Sequence, residues 1–454
     1  MVGNSKPQTH HVAVLAFPFG SHAGPLLSLV LRLAAAAPQV AFSFLTTSKA
    51  NAALFSKSPL SLHNVKAYNV PDGLPEDFVP SGNPEVAIGL FLKPAPGNFM
   101  RSLKDAEAAT GLRVGCLVSD AFFWFVGDMA EEMKVPWVPV WTGGPRSLLV
   151  HVDTDLIRQR LGTSGGGKQT LDFLPGFSRF QMDDLPEGIV GKLESPLATL
   201  LHKMGQKLPK ATAVAINSFE EVDPEVLNVL KSRFQKFLNV GPFSLIPPSP
   251  SPSPSPLLND ESGCLEWLDT QKSASVAYIS FGSVVTPPPH ELAAFAEALI
   301  ESGFPFIWSF RGNIEEILPK GYDKMSLNGK IISWAPQVQV LGHSSTGVFV
   351  THCGWNSILE SIVGGVPMIC RPFFGDQNLN MRTVEAAWGI GVGVEGGLIT
   401  KPAAIKALEL VLKQKEGEEM REKLKVLQNL AQQAVEWNGS SPRAFNSLVE
   451  IVTN

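Results

Sequence analysis

The sequence predicts an α/β protein of two doubly wound, parallel-sheet domains that face each other across a cleft. Three observations support this prediction. Apolar strands alternate with helices, the alternation occurs in both halves of the chain, and a stretch of alternating proline and serine divides the halves. The 454 residues, of which 44% are hydrophobic, are enough for two or three domains with large cores.

The first half begins with a buried-type strand, a short loop that contains His22, and an apolar helix. Further apolar strands follow, and Asp120 stands at the end of one of them. Apolar runs of this kind are typical of parallel strands that are buried on both faces. The predicted strands are 12–17, 40–45, 114–118 and 135–140, and the first predicted helix is 25–37.

The plainest boundary is the stretch PPSPSPSPSP over 247–256. Alternating proline forms neither a helix nor an interior strand, so we expect an extended, semi-rigid linker here. We expect the last helix of the chain to pack back on the N-terminal domain. The predicted organisation is an N-terminal domain over 1–245, a linker over 246–258, a C-terminal domain over 259–437 and a C-terminal helix over 438–454.

The second half repeats the alternation of apolar strands and amphipathic helices. In folds of this type, ligands bind beyond the carboxyl ends of the strands, where loops and helix N-termini gather. Residues that follow strands are therefore the candidates for function. The predicted strands are 276–281, 304–310, 347–351 and 366–370, and the predicted helices include 290–302, 418–437 and 443–452.

Charge and cysteine content exclude several classes of protein. The net charge is −5 without a long run of one sign, which argues against a nucleic-acid binder. The four cysteines lie far apart and show no CxxC spacing, so neither a zinc site nor a disulfide framework is indicated. The first apolar run, 12–19, is too short for a signal-peptide core or a membrane span. We therefore expect a cytoplasmic protein with no membrane span and no metal.

The most informative string is the 44 residues of 334–377, WAPQVQVLGHSSTGVFVTHCGWNSILESIVGGVPMICRPFFGDQ. His352 follows an apolar strand, Gly354 permits a close backbone approach, and Asn356 and Ser357 open a helix. The N–H groups and the dipole at the start of a helix attract anions, so a diphosphate fits here without a metal.

Other side chains of the string suit a nucleotide and a sugar. Trp334 offers a flat face for a base, Glu360 can accept hydrogen bonds from ribose, and Asp376 and Gln377 match sugar hydroxyls. Each residue also has a plain structural interpretation. Trp334 fits a core, His352 fits a satisfied buried imidazole, and Ser357-x-x-Glu360 is a capping box. For each residue taken singly, the structural interpretation is the better one. The joint occurrence of these residues in one string favours a functional role.

The string closely resembles the signature box of plant family 1 UDP-dependent glycosyltransferases, and the resemblance extends over essentially the whole chain. It implies a GT-B fold of two Rossmann-like domains, with the acceptor bound by the first domain and the UDP-sugar by the second. It also implies transfer with inversion and a monomer that needs no cofactor, the UDP-sugar being a co-substrate.

The resemblance assigns donor contacts by motif position. Trp334 would stack on uracil, with Ala335 and Gln337 nearby, and Glu360 would hold the ribose. In this family, glutamine at the last box position goes with glucose donors and histidine with galactose donors, so Gln377 favours UDP-glucose. The residues implied to hold the diphosphate are Ser283, His352, Gly354, Asn356 and Ser357, and Ser21 offers one further hydroxyl. The residues implied to hold the sugar are Thr142, Trp355, Asp376 and Gln377.

Transfer to a phenol needs a base, and a neutral imidazole is suited to that task. His22 and Asp120 both follow strands whose ends open on one sheet edge, so a contact between them is possible. A surface-loop histidine and a helix-capping aspartate are the plain alternative. The resemblance assigns His22 as the catalytic base and Asp120 as its partner.

The acceptor is predicted less directly. Several stretches, including HVAVLAFPFGSHAGPLL and ICRPFFGDQ, resemble the flavonoid 3-O-glucosyltransferase branch, and Arg371 stands where many other members carry tryptophan. Two positions depart from relatives, because Gly20 stands where serine is frequent and Glu85 where glutamine contacts the acceptor. The candidate acceptor contacts are Phe19, Glu85, Phe122, Phe123, Trp124, His151 and Phe374.

The leading hypothesis is transfer of glucose, with inversion, from UDP-glucose to a hydroxyl of a flavonol or anthocyanidin. The expected site of transfer is the 3-hydroxyl. This is a reaction of plant secondary metabolism and anthocyanin biosynthesis. The alternatives are a UDP-galactose or broader phenol glycosyltransferase, a non-catalytic UDP-sugar-binding protein, and a UDP-sugar epimerase of similar architecture.

Overall fold

The computed structural model describes residues 8–55, 63–75, 84–164, 167–246, 260–282, 284–316 and 328–454. The chain divides into two compact units. The N-terminal unit falls within Met1–Gln169, Glu187–Ser253 and Ala434–Asn454, and the C-terminal unit within Thr170–Pro186 and Pro254–Gln433. The predicted linker over 246–258 lies outside the described residues except for Ile246.

The N-terminal unit contains a seven-stranded parallel sheet with the order β3-β2-β1-β4-β5-β6-β7. The order reverses between β1 and β4, and such a reversal opens a crevice at the carboxyl ends of the two strands. Both central strands are buried, as their apolar sequences predict. The strands are β1 (His10–Leu15), β2 (Val40–Thr47), β3 (Val65–Val70), β4 (Cys116–Asp120), β5 (Trp137–Trp141), β6 (Val214–Ile216) and β7 (Phe237–Asn239).

Helices cover this sheet and bury their apolar faces against it. Leu26, Leu29 and Leu33 of the first helix join the sheet side chains in one core. The helices are α1 (Ala23–Ala36), α2 (Ser48–Phe55), α3 (Pro84–Leu92), α4 (Ala95–Thr110), α5 (Val126–Met133), α6 (Pro145–Val152), α7 (Thr154–Leu161), α8 (Pro196–Lys207) and α9 (Pro224–Arg233).

The last helix of the chain, α17 (Ser440–Thr453), belongs to the N-terminal unit. Its Leu448, Ile451 and Val452 are buried in the core formed with α1 and the sheet. The Ser441 hydroxyl donates to the carbonyl oxygen of Gly241 at 2.5 Å. The last helix of the chain therefore packs in the same core as the first strand and the first helix.

The C-terminal unit contains a six-stranded parallel sheet with the order β10-β9-β8-β11-β12-β13, and this order reverses between β8 and β11. The strands are β8 (Val276–Ser280), β9 (Phe306–Ser309), β10 (Gly329–Ile332), β11 (Thr346–Thr351), β12 (Met368–Cys370) and β13 (Gly391–Gly393). The helices are α10 (Cys264–Asp269), α11 (Pro289–Ser302), α12 (Gln337–Gly342), α13 (Trp355–Gly364), α14 (Gln377–Arg382), α15 (Lys401–Lys413) and α16 (Lys415–Val435). No helix in the described part of the chain combines the length and apolar character that crossing a membrane requires.

One segment lies on the other side of the predicted domain boundary at residue 245. Thr170–Pro186 belongs to the C-terminal unit, whereas the sequence analysis assigns it to the N-terminal domain. The Arg179 guanidinium donates to the Ala386 carbonyl at 2.6 Å, and Asp184 lies 3.5 Å from the Arg382 guanidinium. These contacts join residues about 200 positions apart, so a reading of local pattern does not find them.

Candidate functional site

In the N-terminal unit, His22 and Asp120 meet at the crevice where the strand order reverses. His22 stands directly before α1, and Asp120 is the last residue of β4. The imidazole Nδ1 lies 2.8 Å from Asp120 Oδ2. Because a carboxylate only accepts hydrogen bonds, Nδ1 carries the proton and Nε2 keeps its lone pair. The pair therefore has the geometry of an oriented general base.

Asp120 is itself held firmly. Its side chain is 1% exposed, whereas that of His22 is 19% exposed. The second carboxylate oxygen, Oδ1, accepts the backbone N–H of Phe122 at 2.9 Å. The Thr142 hydroxyl lies 3.1 Å from His22 Nδ1. Thr142, which the resemblance assigns to the sugar, thus also lies beside the His22 imidazole.

Aromatic rings surround His22. The ring of Phe122 lies 4.5 Å from the imidazole centroid, and the ring of Phe17 lies 5.1 Å from it. Phe17 contacts Phe19 at 5.3 Å, and Phe19 contacts Phe91 of α3 at 5.5 Å. The structure thereby brings the predicted Phe19 and Phe122 together with His22, and it adds Phe17 and Phe91, which sequence reasoning missed.

This aromatic chain continues to His151 on α6. Trp141 contacts Phe122 at 6.0 Å on one side and His151 at 5.7 Å on the other. Burial lowers the pKa of His151 to about 3, so its imidazole is neutral at physiological pH. Among the described residues, its Nδ1 has no hydrogen-bond partner. A buried polar atom without a hydrogen-bond partner is uncommon in folded proteins.

The remaining acceptor candidates are less closely grouped. Glu85 lies in the first turn of α3, the helix that carries Phe91. Phe123 is fully buried, as a core residue is, and Trp124 lies under the Lys203 ammonium at 4.7 Å. Phe374 belongs to the C-terminal unit and is 45% exposed. Ser21 is an exposed loop residue next to His22.

In the C-terminal unit, His352 lies at the reversal between β8 and β11. A Cβ atom on Gly282 would lie 2.8 Å from its Nε2, and one on Gly354 would lie 2.5 Å from that atom. Both positions therefore need glycine if the ring is to stay where it is. Burial lowers the pKa of His352 to about 4, and its Nδ1 has no partner among the described residues. The neutral imidazole therefore carries one N–H group.

The helix α13 begins at Trp355, three residues after His352. Its N-cap is Gly354, which has extended backbone and no side chain with which to cap the helix. No acidic residue occupies the first turn, which contains Asn356 and Ser357. The positive end of the helix dipole is thus directed at the loop without a competing carboxylate. The capping-box interpretation is wrong, because Ser357 lies inside the helix.

Glu360 belongs to a hydrogen-bonded group instead. The Gln337 amide donates to Glu360 Oε2 at 2.6 Å and to the Ser357 hydroxyl at 3.2 Å. The Tyr278 hydroxyl donates to Gln337 Oε1 at 3.0 Å. Burial raises the pKa of Glu360, and the Gln337 N–H opposes the rise. Tyr278 is a further residue that the sequence analysis did not single out.

Trp334 precedes this group and is 42% exposed, so its interpretation as a core residue is wrong. Ala335 beside it is buried. Trp355 is also buried, with Trp388 at 6.4 Å between ring centroids. Ser283 lies outside the described residues.

Gln377 is the first residue of α14, and Asp376 is its N-cap. The Gln377 Oε1 accepts the backbone N–H groups of Phe373 at 2.8 Å and of Phe374 at 3.3 Å. These two bonds fix the amide orientation, with the oxygen on the loop backbone and the NH₂ group as the remaining donor. The Asn380 amide donates to the Cys353 carbonyl at 3.0 Å and so joins α14 to the loop of His352.

The structure thus has an oriented imidazole at one crevice edge and a helix N-terminus suited to an anion at another. The family model described as "UDP-glucoronosyl and UDP-glucosyl transferase" matches residues 20–430. The chain belongs to this family of UDP-glycosyltransferases. The predicted enzyme class is thereby confirmed.

The transferase is 55% identical over 446 residues to a flavonoid 3-O-glucosyltransferase of Medicago truncatula, across 98% of this chain and 97% of the relative. It is 54% identical over 450 residues to an anthocyanidin 3-O-galactosyltransferase of Rhododendron delavayi, across 97% of each. It also matches a crystal structure of a UDP-glucose:anthocyanidin 3-O-glucosyltransferase in complex with UDP. That match has 43% identity and a TM-score of 0.91, and it covers 99% of this chain and 100% of the other. These matches confirm the predicted GT-B fold and the branch of the family.

Proposed function

We propose that this transferase moves glucose from UDP-glucose to the 3-hydroxyl of a flavonoid such as a flavonol or an anthocyanidin, with inversion at the sugar. The observation that carries the proposal is the His22–Asp120 pair, joined at 2.8 Å and surrounded by aromatic rings. A second candidate is transfer from UDP-galactose, because relatives of both kinds resemble the chain to a similar degree.

The proposed chemistry begins at His22. Its Nε2 takes the proton of the acceptor hydroxyl while the oxygen forms a bond to the anomeric carbon of the sugar. The bond from that carbon to the β-phosphate oxygen breaks on the opposite face, and UDP leaves with the electron pair. Asp120 stabilises the imidazolium that results. Attack and departure on opposite faces invert the anomeric configuration.

The C-terminal unit supports a proposal for the donor site. Trp334 stacks on uracil with Ala335 and Gln337 nearby, and Glu360 holds the ribose. The dipole of α13 and the His352 N–H stabilise the negative charge that develops on the departing diphosphate. Further proposed diphosphate contacts are Ser21, Ser283, Gly354, Asn356 and Ser357. Proposed sugar contacts are Thr142, Trp355, Asp376 and Gln377.

The acceptor proposal rests on the rings around His22. A planar polyphenol suits a cluster of aromatic side chains. His151, which contacts this cluster through Trp141, is a further proposed acceptor contact. Phe19 and Phe122 are the proposed ring contacts, with Glu85 and Phe374 as further candidates. The names of the relatives, which are flavonoid and anthocyanidin 3-O-glycosyltransferases, support the same acceptor class.

The test incubates the purified protein with UDP-glucose or UDP-galactose and with flavonols, anthocyanidins and simple phenols. We expect a β-linked 3-O-glucoside as the main product, identified by mass spectrometry and NMR. The matched variant is His22→Ala, for which we expect loss of transfer with nearly unchanged UDP binding. Unaltered turnover in that variant would refute the base assignment. A new sugar nucleotide formed without acceptor would favour the epimerase alternative.

A further inference from the structure

A buried ion pair lies at the end of β12, beneath the loop that leads to Gln377. Arg371 follows the strand and is 8% exposed, and Glu291 lies in the first turn of α11 and is 1% exposed. The guanidinium Nη2 lies 2.6 Å from Glu291 Oε1, and Nε lies 2.8 Å from Oε2. Two parallel bonds of this kind fix the orientation of both groups as well as their distance.

Glu291 is anchored from a third segment of the chain. Its Oε2 also accepts the backbone N–H of Ile399 at 2.8 Å. A buried ion pair is seldom worth more to stability than apolar side chains of the same volume, because both charges must be removed from water. Its advantage is geometric, since each partner has one well-defined position.

Contacts lead from Arg371 to Gln377 without interruption. The guanidinium also donates to the carbonyl oxygen of Pro372 and lies 4.5 Å from the centroid of the Phe373 ring. The Phe373 N–H in turn donates to Gln377 Oε1 at 2.8 Å. The side chain that the proposed function assigns to the sugar is therefore oriented by backbone that Arg371 holds.

We propose that Arg371 and Glu291 are a positioning pair that sets the Gln377 amide for the donor sugar. This inference rests on the proposed role of Gln377 as a sugar contact. Neither member of the pair touches the sugar in this scheme. Each acts through the 371–377 loop. By orienting the NH₂ group of Gln377, the pair determines whether the hydroxyls of glucose or those of galactose fit the site better.

The first test uses Arg371→Lys, which keeps the charge but replaces the planar fork by a single ammonium. We expect kcat/KM for UDP-glucose to fall by about 10- to 100-fold, because displacements of about 1 Å at a site have effects of that size. We also expect the preference between UDP-glucose and UDP-galactose to narrow. The inhibition constant of UDP, which has no sugar, should stay within about twofold of its original value, since Gln377 does not contact UDP in this scheme.

Two further variants make the result interpretable. Glu291→Gln preserves volume and weakens the same pair from the other side, so it serves if the lysine variant does not fold. Arg146→Lys alters a comparable buried pair, because Arg146 lies 2.7 Å from Asp223 in the N-terminal unit. We expect this control to lower the melting temperature without changing the KM for UDP-glucose.

The decisive measurement places Arg371→Lys in a Gln377→Ala background. If Arg371 acts through Gln377, the second change produces no further loss in donor discrimination, so the two effects are non-additive. Three results would overturn this inference but leave the proposed function intact. They are additive losses, a parallel loss of UDP affinity, and wild-type donor discrimination in both pair variants. Wild-type donor kinetics in Gln377→Ala would instead remove the sugar contact on which it rests. Absence of transfer by the unaltered enzyme would remove the proposed function itself.

Discussion

Replacing Asp120 by asparagine tests whether the His22 pair is a base and its orienter. The substitution keeps the volume of a side chain that is 1% exposed, so it leaves no cavity. The Phe122 N–H, which donates to Oδ1 at 2.9 Å, holds the amide oxygen of the new residue in the same place. The amide NH₂ then faces His22 Nδ1.

That orientation forces the wrong tautomer of His22. Because the NH₂ group only donates, Nδ1 must accept, and the ring proton moves to Nε2. The lone pair that takes the proton of the acceptor hydroxyl is then lost. General base catalysis contributes about 10²- to 10⁴-fold, so we expect kcat to fall by that factor. Such a loss corresponds to a barrier higher by about 3–5 kcal/mol.

The assay is steady-state kinetics with UDP-glucose and a flavonol, together with UDP binding by calorimetry. We expect kcat to fall while UDP affinity and the melting temperature stay close to those of the unaltered enzyme. Asp120→Ala is the comparison, since it removes the carboxylate without imposing a donor on Nδ1 and should be less damaging. A kcat within about threefold of the original in Asp120→Asn would refute the reasoning, because general base catalysis is worth at least about 10²-fold.

Four further substitutions test the described contacts. Gln377→Glu keeps the acceptor for the Phe373 N–H but removes the amide donors. Its kcat/KM for UDP-glucose should therefore fall by about 10- to 100-fold while UDP binding persists. Gln377→His should shift the donor preference towards UDP-galactose in the same assay. Tyr278→Phe removes the hydroxyl that orients Gln337, and by the usual worth of one hydrogen bond, about 1 kcal/mol, calorimetry should show UDP affinity lower by about fivefold. Burial lowers the pKa of His151 from 6.5 to about 3, so the unfolded chain binds that proton more readily and stability falls as pH drops below 6.5. By linkage, His151→Gln should lose about 2 kcal/mol of this pH dependence between pH 6.5 and about pH 5, measured by denaturant unfolding.

Each of these predictions has a contrary result, which for Gln377→Glu is an unchanged kcat/KM for UDP-glucose. Equal use of both donors before and after Gln377→His would show that this residue does not select the sugar. Unchanged UDP affinity in Tyr278→Phe would show that Gln337 is oriented without the phenol. A pH dependence of unfolding that is the same with and without His151 would show that its imidazole remains protonatable in the folded chain.

The strands that position both sites could be predicted because they are buried on both faces. Their apolar runs end at polar residues such as Asp120 and His352, and parallel topology gathers those ends. Other strands escaped prediction for physical reasons. The edge strand Val65–Val70 is only partly buried and contains Lys66 and Asn69, and β6 and β7 are three residues each.

The supporting contacts of the sites were beyond the sequence because they join distant positions. Tyr278 reaches Gln337 across 59 residues, and Glu291 reaches Arg371 across 80. The Ser357-x-x-Glu360 pattern shows the opposite difficulty. The pattern matches a helix start locally, but the N-cap of the helix is Gly354, three residues before Ser357. The Glu360 carboxylate accepts a hydrogen bond from the Gln337 amide instead.

The position of α17 has a consequence for biosynthesis. Leu448 and Val452 are translated after the whole C-terminal unit, yet they complete the core around the first strand and helix. The N-terminal unit therefore cannot finish folding while the ribosome is still translating the intervening 180 or so residues. A fragment that stops before α17 would leave an apolar face of the earliest-made sheet exposed to water, and nascent chains should depend on protection there until the last turns emerge.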